Sequence, residues 1–477
     1  MAGEDTTTRT LILGGGLAGI AAAVRLAQLG QSVMLLETRK RLGGRATSFT
    51  DAATGRELDN CQHVVMKCCT NLLDLYDRLG VAQNIQWHRR FFFVDAQGRL
   101  DEMVASDLPA PFHLTASLLG FTTLNWSEKI AIARGMRGVM TSAMQQWEKQ
   151  SFAQWLDAHQ QPESVIEKFW RPVVVGAINE TIEGMSAAAA LQVFQQGFLS
   201  HEEACWMGLP DVPLARLYDR AVDVITAAGG QVRMNCGAAK LSFDGQKITG
   251  VTLDSGEFLA GDAIISALPF DRLAKIAPPE LVAADDRLKH LRAFEVSPII
   301  GIHLWVRSDD GPEPFALPHL SFMQSPLHWI FNKGFDHAAQ AQHLHGVISA
   351  AHDLLTHTSR ELAQMAMDEL RKVIPAMRQA SLVEHLVVKE KSATFSARPG
   401  LQTIRPGARG QVESFYLAGD WCASGWPATM EGAVRSGYLA AAAAMQDQGI
   451  IAQDATLLAK DLPVSPFYRL LGGQSSA

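Results

Sequence analysis

Thr10-Leu11-Ile12-Leu13-Gly14-Gly15-Gly16-Leu17-Ala18-Gly19 runs from a short apolar stretch into a cluster of glycines, and apolar residues then recur at helical spacing from Leu17 to Leu29. A buried strand that feeds a tight turn and a helix is the opening of a βαβ unit, a geometry that binds dinucleotides. Gly14 permits the sharp turn, Gly16 lets the backbone approach a pyrophosphate, and Gly19 lets the helix close on the strand. The first N–H groups of that helix, at Leu17 and Ala18, face the phosphates. A second strand is expected over Ser32–Leu36. Glu37 ends it, eighteen positions after Gly19, where a carboxylate accepts hydrogen bonds from an adenosine ribose.

Outward from this unit come Arg39 and then Arg41-Leu42-Gly43-Gly44-Arg45. The second glycine pair resembles the Arg-x-Gly-Gly-Arg element of the FAD-binding amine oxidase and phytoene desaturase superfamily. That resemblance implies FAD rather than a nicotinamide cofactor, with Arg39, Gly43, Gly44 and Arg45 close to the pyrophosphate. At the far end of the chain, Phe415-Tyr-Leu-Ala-Gly419-Asp420 reads as a buried strand, and Gly425-Trp426-Pro-Ala-Thr-Met430-Glu431-Gly-Ala433 as a turn opening a helix. In the resembled superfamily the Asp, here Asp420 after Gly419, meets the ribityl-pyrophosphate. Met430, Glu431 and Ala433 then sit at the helix start beside the flavin pyrimidine edge, where a helix N-terminus stabilises the negative charge of reduced flavin. The same resemblance places Val232 on the adenine side. No Cys or His sits in a recognisable flavin-attachment motif, so non-covalent FAD is expected.

With 477 residues, 47% hydrophobic and 19% charged, the chain has the composition of a globular protein with two or three domain-sized cores. A net charge of −7, with no Lys/Arg block, argues against nucleic acid as a partner. Cys61, Cys68, Cys69, Cys205, Cys236 and Cys422 include a neighbouring pair but no CxxC and no Cys/His ligand spacing, so neither a disulfide framework nor a metal site is expected. Residues 1–10 lack the regions of a secretory signal, and no apolar run reaches the ~18 residues of a membrane span. A cytoplasmic protein is expected, or one held peripherally on the inner face of a membrane.

Because the cofactor motifs lie at both ends of the chain, the domains must be discontinuous. The expected fold is α/β: a Rossmann-like FAD-binding domain of the glutathione-reductase type from residues 1–100, 206–290 and 395–446. An α+β substrate domain from 101–205 and 291–394 is interleaved with it, and 447–477 form a C-terminal extension. Helices are expected over 71–79, 127–146, 186–196, 213–228 and 359–373, with Ser127 and Ser151 as capped starts. Strands are expected over 231–235, 240–243, 248–253, 263–269, 299–306 and 381–390, and a hairpin over 47–58.

Three further stretches carry a closer resemblance: Leu58-Asp59-Asn60-Cys61-Gln62-His63-Val64, Phe169-Trp-Arg-Pro172 with Ala177-Ile-Asn179, and Gly425-Trp-Pro-Ala-Thr-Met-Glu-Gly432. Together they resemble the bacterial hydroxysqualene dehydroxylases, FAD-dependent enzymes of squalene and hopanoid synthesis within the phytoene desaturase superfamily. The likeness runs over nearly the whole chain and departs at Cys61, where the family more usually has Gly. It implies a triterpene substrate that loses an allylic hydroxyl. Protonation assists departure of water, the allylic cation is delocalised, and hydride from reduced FAD quenches it. An electron donor, not identified by the sequence, must then reduce FAD.

His63 and Asp59 fall where the superfamily chain passes the flavin, so either can donate or relay the proton. Each has an alternative reading, Asp59 as the anchor of a turn and His63 as a hydrogen-bonded core histidine. Trp421 and Trp426 bracket the flavin-side turn and offer π faces to a cation, unless they are core. A phytoene-type isoprenoid desaturase shares these motifs and is one alternative function. A flavin amine oxidase is disfavoured because Val296–Val306 carries no lysine. Prenyl-protein escort proteins, which share the fold without FAD, are disfavoured by the intact Gly14–Gly19, Arg45 and Asp420 set. Squalene-sized molecules are almost insoluble in water, and either of the apolar stretches Pro111–Phe121 and Pro466–Leu471 can lie at a bilayer interface or pack against the body; the first is expected to form part of the tunnel mouth and to bind membranes peripherally.

Overall fold

The computed structural model describes residues 9–309, 311 and 313–474. The reading of residues 1–8 as free of a secretory signal therefore lies outside the described residues. Strand Arg9–Leu13 is buried on both faces from Thr10 onward, as a central parallel strand is when helices cover it on both sides. It pairs in parallel with Ser32–Leu36 and with Ala263–Ser266, and Gln231–Arg233 and Phe415–Leu417 complete a five-stranded sheet. Helix Leu17–Gln28 packs on this sheet against Met430–Asp447 from the other end of the chain. Their backbones touch because Gly437 has no side chain: a Cβ there would lie 2.2 Å from the carbonyl oxygen of Ala18. Three antiparallel strands, Ala238–Phe243, Ile248–Leu253 and Phe258–Ala260, branch from the same domain.

A second sheet holds seven strands in the order Ser381–Phe395, Val296–Arg307, Ala341–Ser349, Trp329–Asp336, His319–Phe322, Arg90–Val94 and Leu100–Val104. On one face Leu362, Ala366, Met367 and Leu370 of helix Ser359–Val373 pack against Ile300, Ile302 and Leu304. The other face lines a cavity, closed over by helices Arg171–Ile178 and Ala187–Phe194.

Several boundaries differ from the expected ones. The cofactor domain does not extend to residue 100, because Arg90–Val94 and Leu100–Val104 form the edge hairpin of the second sheet. Phe91 and Phe93 enter one core and Phe92 and Val94 another, so this run suits only a sheet buried on both faces. Helix Trp126–Thr141 is capped by Asn125 rather than Ser127, in a reciprocal box with Glu128, and ends at Thr141 as Ser142 turns extended. Ser151 forms the expected box with Gln154. The strand from Gln231 stops at Arg233, close to Asn235 with its positive φ of 52°, whereas the long strands of the second sheet run further than expected, over Val296–Arg307 and Ser381–Phe395. The C-terminal extension is stitched to the body: Ala459 N–H donates to Asn71 Oδ1 at 2.9 Å and Ser465 Oγ to the Ala110 carbonyl at 2.6 Å. No helix among the described residues is long and apolar enough to cross a membrane.

Candidate active site

A cavity of about 690 Å³ runs between the two sheets. One half is backbone. Gly14, Gly43 and Gly44 hold φ of 100°, 104° and 63°, a region that side-chain-bearing residues disfavour. Gly43 N–H donates to the Gly15 carbonyl at 2.9 Å, and a Cβ on Gly44 would stand 3.0 Å from Cα of Gly16. The two glycine turns are thus laced face to face. Helix Leu17–Gln28 begins at their junction with no side-chain cap, so its first N–H groups are left for an anionic ligand, and Gly16, Leu17 and Ala18 all line the cavity. Gly19 lies behind the wall: a Cβ there would come 1.9 Å from the Gly14 carbonyl oxygen, which makes it the residue that lets helix and strand close.

Glu37 is 6% exposed and held from both sides, Oε2 accepting from Gly15 N–H and Oε1 from Arg39 N–H, each at 2.7 Å. A carboxylate has about four acceptor positions, so two remain for ribose hydroxyls. Arg45 forms an ion pair with Asp420 and donates through Nη1 to the Ala393 carbonyl at 3.1 Å. The two ends of the chain therefore meet in a direct charge contact. Arg39 donates to the Gly44 carbonyl at 3.3 Å. On the C-terminal side Gly419 has φ 141° and donates its N–H to Ser436 Oγ at 2.8 Å, while Thr429 caps the helix that carries Met430 and Ala433 to the cavity wall. This polar, side-chain-poor trough, bounded by a helix N-terminus and a fixed carboxylate, fits the pyrophosphate and ribose of a dinucleotide.

Some expected contacts are corrected. Val232 does not reach the cavity; it pairs with Leu35 inside the sheet, and Cys236, Gly237, Ala238 and Asp254 line that end instead. Glu431 lines the wall, but its carboxylate is committed elsewhere. It accepts from Leu72 N–H at 2.7 Å, Asn71 Nδ2 at 3.0 Å and Arg435 Nε at 2.7 Å, and so caps helix Thr70–Leu79. Trp421 is 1% exposed, donates Nε1–H to the Leu268 carbonyl at 3.0 Å and meets Phe270 and Phe294 edge-on; it is a core tryptophan whose rim touches the cavity. Trp426 lines the cavity with the Arg435 guanidinium 5.4 Å from its ring centre, so a cation already occupies a π face. Arg405, not singled out by the sequence, is buried under this turn and donates to the carbonyls of Asp420, Trp421 and Cys422.

The other half of the cavity is an apolar arm lined by Val64, Phe93, Val173, Val193, Phe331 and Val347 among others. A belt of more polar residues lines the same cavity, Asn60, Cys61, Gln62, His63, Asn179, Ser349, Glu390 and Thr394, and Asn60 Nδ2 donates to the carbonyl of the trough residue Arg45 at 2.7 Å. His63 donates from Nδ1 to the Cys61 carbonyl at 3.0 Å, which leaves Nε2 as its basic nitrogen; burial lowers its pKa, so it is neutral near pH 7. Cys61 has ordinary backbone torsions, so a side chain is accommodated where Gly was expected, and burial pushes its thiol up to about 12. Asp59 is corrected: it does not face the cavity. Its Oδ1 accepts from Ser48 Oγ at 2.7 Å and Leu214 N–H at 2.9 Å, and Oδ2 lies 3.8 Å from Lys333 Nζ. Lys333, which the sequence reading passed over, also donates to Gln62 Oε1 at 3.2 Å and ties this turn to the second sheet. A lone lysine in a strand of mixed pattern gave no signal.

Fold and trough together define a flavin-dependent oxidoreductase, and the chain belongs to the flavin containing amine oxidoreductase family, whose pattern matches residues 17–445. Its cofactor is FAD. It is 27% identical over 465 residues to a 15-cis-phytoene desaturase of Synechococcus elongatus, covering 92% of this chain and 97% of that protein. A probable zeta-carotene desaturase of the same organism is 24% identical, covering 93% of this chain and all of the other. Among solved structures, cyclohexylamine oxidase from Brevibacterium oxydans superposes with a TM-score of 0.66 at 20% identity, over 93% of this chain and 100% of that one. Putrescine oxidase bound to putrescine gives 0.68 at 15% identity, over 91% and 98%. At such identities the structures speak to fold alone.

Proposed function

We propose that the chain transfers hydride between FAD and a long isoprenoid lying in the apolar arm. The observation that carries this is the arm itself, Val, Phe and Trp side chains lining the same cavity as the cofactor trough and the polar belt. When bound, FAD supplies a two-electron hydride acceptor or donor. The arm excludes water and orients the chain by shape, with few polar groups to bind anything else. At the belt, His63 is neutral with a bare Nε2, so it can accept a proton leaving the substrate or pass one to it.

Desaturation of an isoprenoid is the direction supported by the relatives, which are phytoene and zeta-carotene desaturases at 24–27% identity over nearly their whole length. A second reading, reductive dehydroxylation of hydroxysqualene to squalene with an external electron donor, is favoured by the belt. Gln62, His63, Ser349 and Thr394 give a hydroxyl partners at the inner end of the arm, where a pure hydrocarbon has no use for them. Purified FAD-loaded protein offered phytoene with an oxidant, and hydroxysqualene with a reductant, separates the two by product. Turnover of neither, with turnover of an amine, would remove the isoprenoid reading.

The apolar arm also bears on delivery. The stretches around Pro111 and Pro466 lie together, joined through Ser465 and Ala110, and Phe112, Leu119, Trp126, Ile130, Phe467 and Leu470 are exposed. Lys129, stacked on Trp126, adds positive charge. This patch is where we place peripheral contact with a lipid surface from which the substrate is drawn.

A further inference from the structure

Five carboxylates of the described residues line the cavity, and four of them already have a place. Glu37 holds the N–H groups of Gly15 and Arg39, Asp420 pairs with Arg45, and Glu431 is spent on Arg435 and on helix Thr70–Leu79. Asp254 stands against Gly237 at the adenine end of the trough. Glu390 remains. It makes no hydrogen bond and no ion pair with any other described residue.

Register sets its place. On strand Ser381–Phe395 Glu390 stands opposite Ile299, and Ile299 stands opposite Ser349 on the next strand, so the three lie abreast across the second sheet and all line the cavity. Ile300, Ile302 and Leu304 alternate with them and pack under helix Ser359–Val373 on the other face. Lys389, opposite Ile300, goes with that other face and donates to the Leu355 carbonyl at 2.8 Å, so it does not neutralise its neighbour. The cavity face supplies no counter-charge either. Lys333 is turned to Asp59, and burial keeps the nearby histidines neutral: His63, His343 and His345 are lowered and His303 is pushed down to about 4. Three residues beyond Glu390, the Ala393 carbonyl accepts from Arg45 at 3.1 Å, so one strand ties this carboxylate to the trough. The Cys61 thiol is raised first by burial and then by Asp59 and Glu390, which sets Glu390 near the turn that carries His63.

An unpaired carboxylate in an apolar chamber costs stability unless something cationic visits it. An isoprenoid is neutral at rest, but hydride transfer makes it cationic on the way. In desaturation an allylic C–H bond breaks and both its electrons leave as hydride to FAD; the positive charge spreads over the neighbouring double bond, and loss of a proton from the adjacent carbon completes the new C=C. In dehydroxylation the protonated hydroxyl leaves as water with the C–O electron pair, and hydride from FAD reduced by the external donor fills the same kind of cation. We propose that Glu390 is a catalytic residue whose carboxylate stabilises the positive charge developing on the isoprenoid and so selects the allylic segment that reacts. This role rests on the hydride transfer proposed above and serves either direction. His63 handles the proton and Glu390 the charge.

The test uses FAD-loaded protein and an unreactive mimic of the cation. A prenyl chain ending in trimethylammonium is compared with its neutral isostere ending in tert-butyl, with binding read from the change in flavin absorbance. Wild type is expected to bind the cation about tenfold or more tightly than the isostere. Glu390→Gln should bind the two alike at equal flavin content, and Glu390→Asp, which keeps the charge, should keep a preference. Glu390→Leu takes the place of Glu390→Gln if that variant fails to fold. With substrate, Glu390→Gln should lower kcat by about a hundredfold at little-changed KM. Wild type that ignores the neutral isostere removes the isoprenoid reading, and this role with it. An isostere that binds while the preference survives in Glu390→Gln overturns the role of Glu390 alone.

Discussion

The two halves of the cavity are built in opposite ways. The cofactor trough is made of backbone: Gly14, Gly43 and Gly44 stand where a side chain would collide or strain the chain, and Glu37, Arg45 and Asp420 are pinned by hydrogen bonds of fixed geometry. The apolar arm is made of side chains from the turn at Val64, the edge hairpin at Phe93, two helices at Val173 and Val193, and the second sheet at Phe331 and Val347. The trough tolerates no exchange because its parts are defined by atoms that must be absent. The arm needs only volume and apolarity, which many side chains supply.

The contrast is broken most severely at Gly19. Gly19→Ala puts a methyl group 1.9 Å from the Gly14 carbonyl, so the expected outcome is loss of folded, yellow protein, read as flavin absorbance per chain; a soluble holoprotein would show that the helix can move off the strand. In the arm, Val193→Trp should keep stoichiometric FAD but lower kcat/KM for an isoprenoid by about ten to a hundred-fold, the equivalent of ~1–3 kcal/mol of overpacking. Loss of FAD in that variant would mean the halves are not separable.

Glu37→Ala removes the acceptor for the N–H groups of Gly15 and Arg39 and for the ribose, and should weaken FAD by about tenfold or more, as charge-assisted hydrogen bonds are worth ~1.5–3 kcal/mol. Unchanged affinity by flavin fluorescence titration would end the ribose assignment. A paired Leu119→Glu, Leu470→Glu change should lower co-sedimentation with anionic liposomes several-fold while leaving FAD content intact, since both side chains are at least half exposed; equal partitioning would move the lipid contact elsewhere. The smallest effect on turnover is expected at Asp59. Asp59→Asn should leave activity near wild type and cost about 1–3 kcal/mol of stability in denaturant unfolding, because its buried oxygens serve Ser48, Leu214 and Lys333. A strong loss of turnover at full stability would restore it as a proton donor.

The sequence by itself determined the cofactor domain. The glycine spacing, Glu37, the Arg41–Arg45 turn and the Gly419–Asp420 strand end are local patterns whose geometry is written in consecutive residues, because only backbone conformation and close approach are at stake. Tertiary structure decided the rest. Asp59 and His63 stand four residues apart in one segment and look equivalent in sequence, yet the short strand Glu57–Asp59 turns the first toward Ser48 and Lys333, and the following turn gives the second to the cavity. Trp421 looked like a shield for a cation and is held in the core by Leu268. Phe91 to Val94 looked like part of the cofactor domain until pairing with His319–Phe322 carried them into the second sheet. His303, His343 and His345 gave no signal at all, since they meet only through an antiparallel register between strands far apart in the chain. Side-chain contacts of this kind depend on which strands pair and on which face is buried. Neither is encoded in any one stretch of residues.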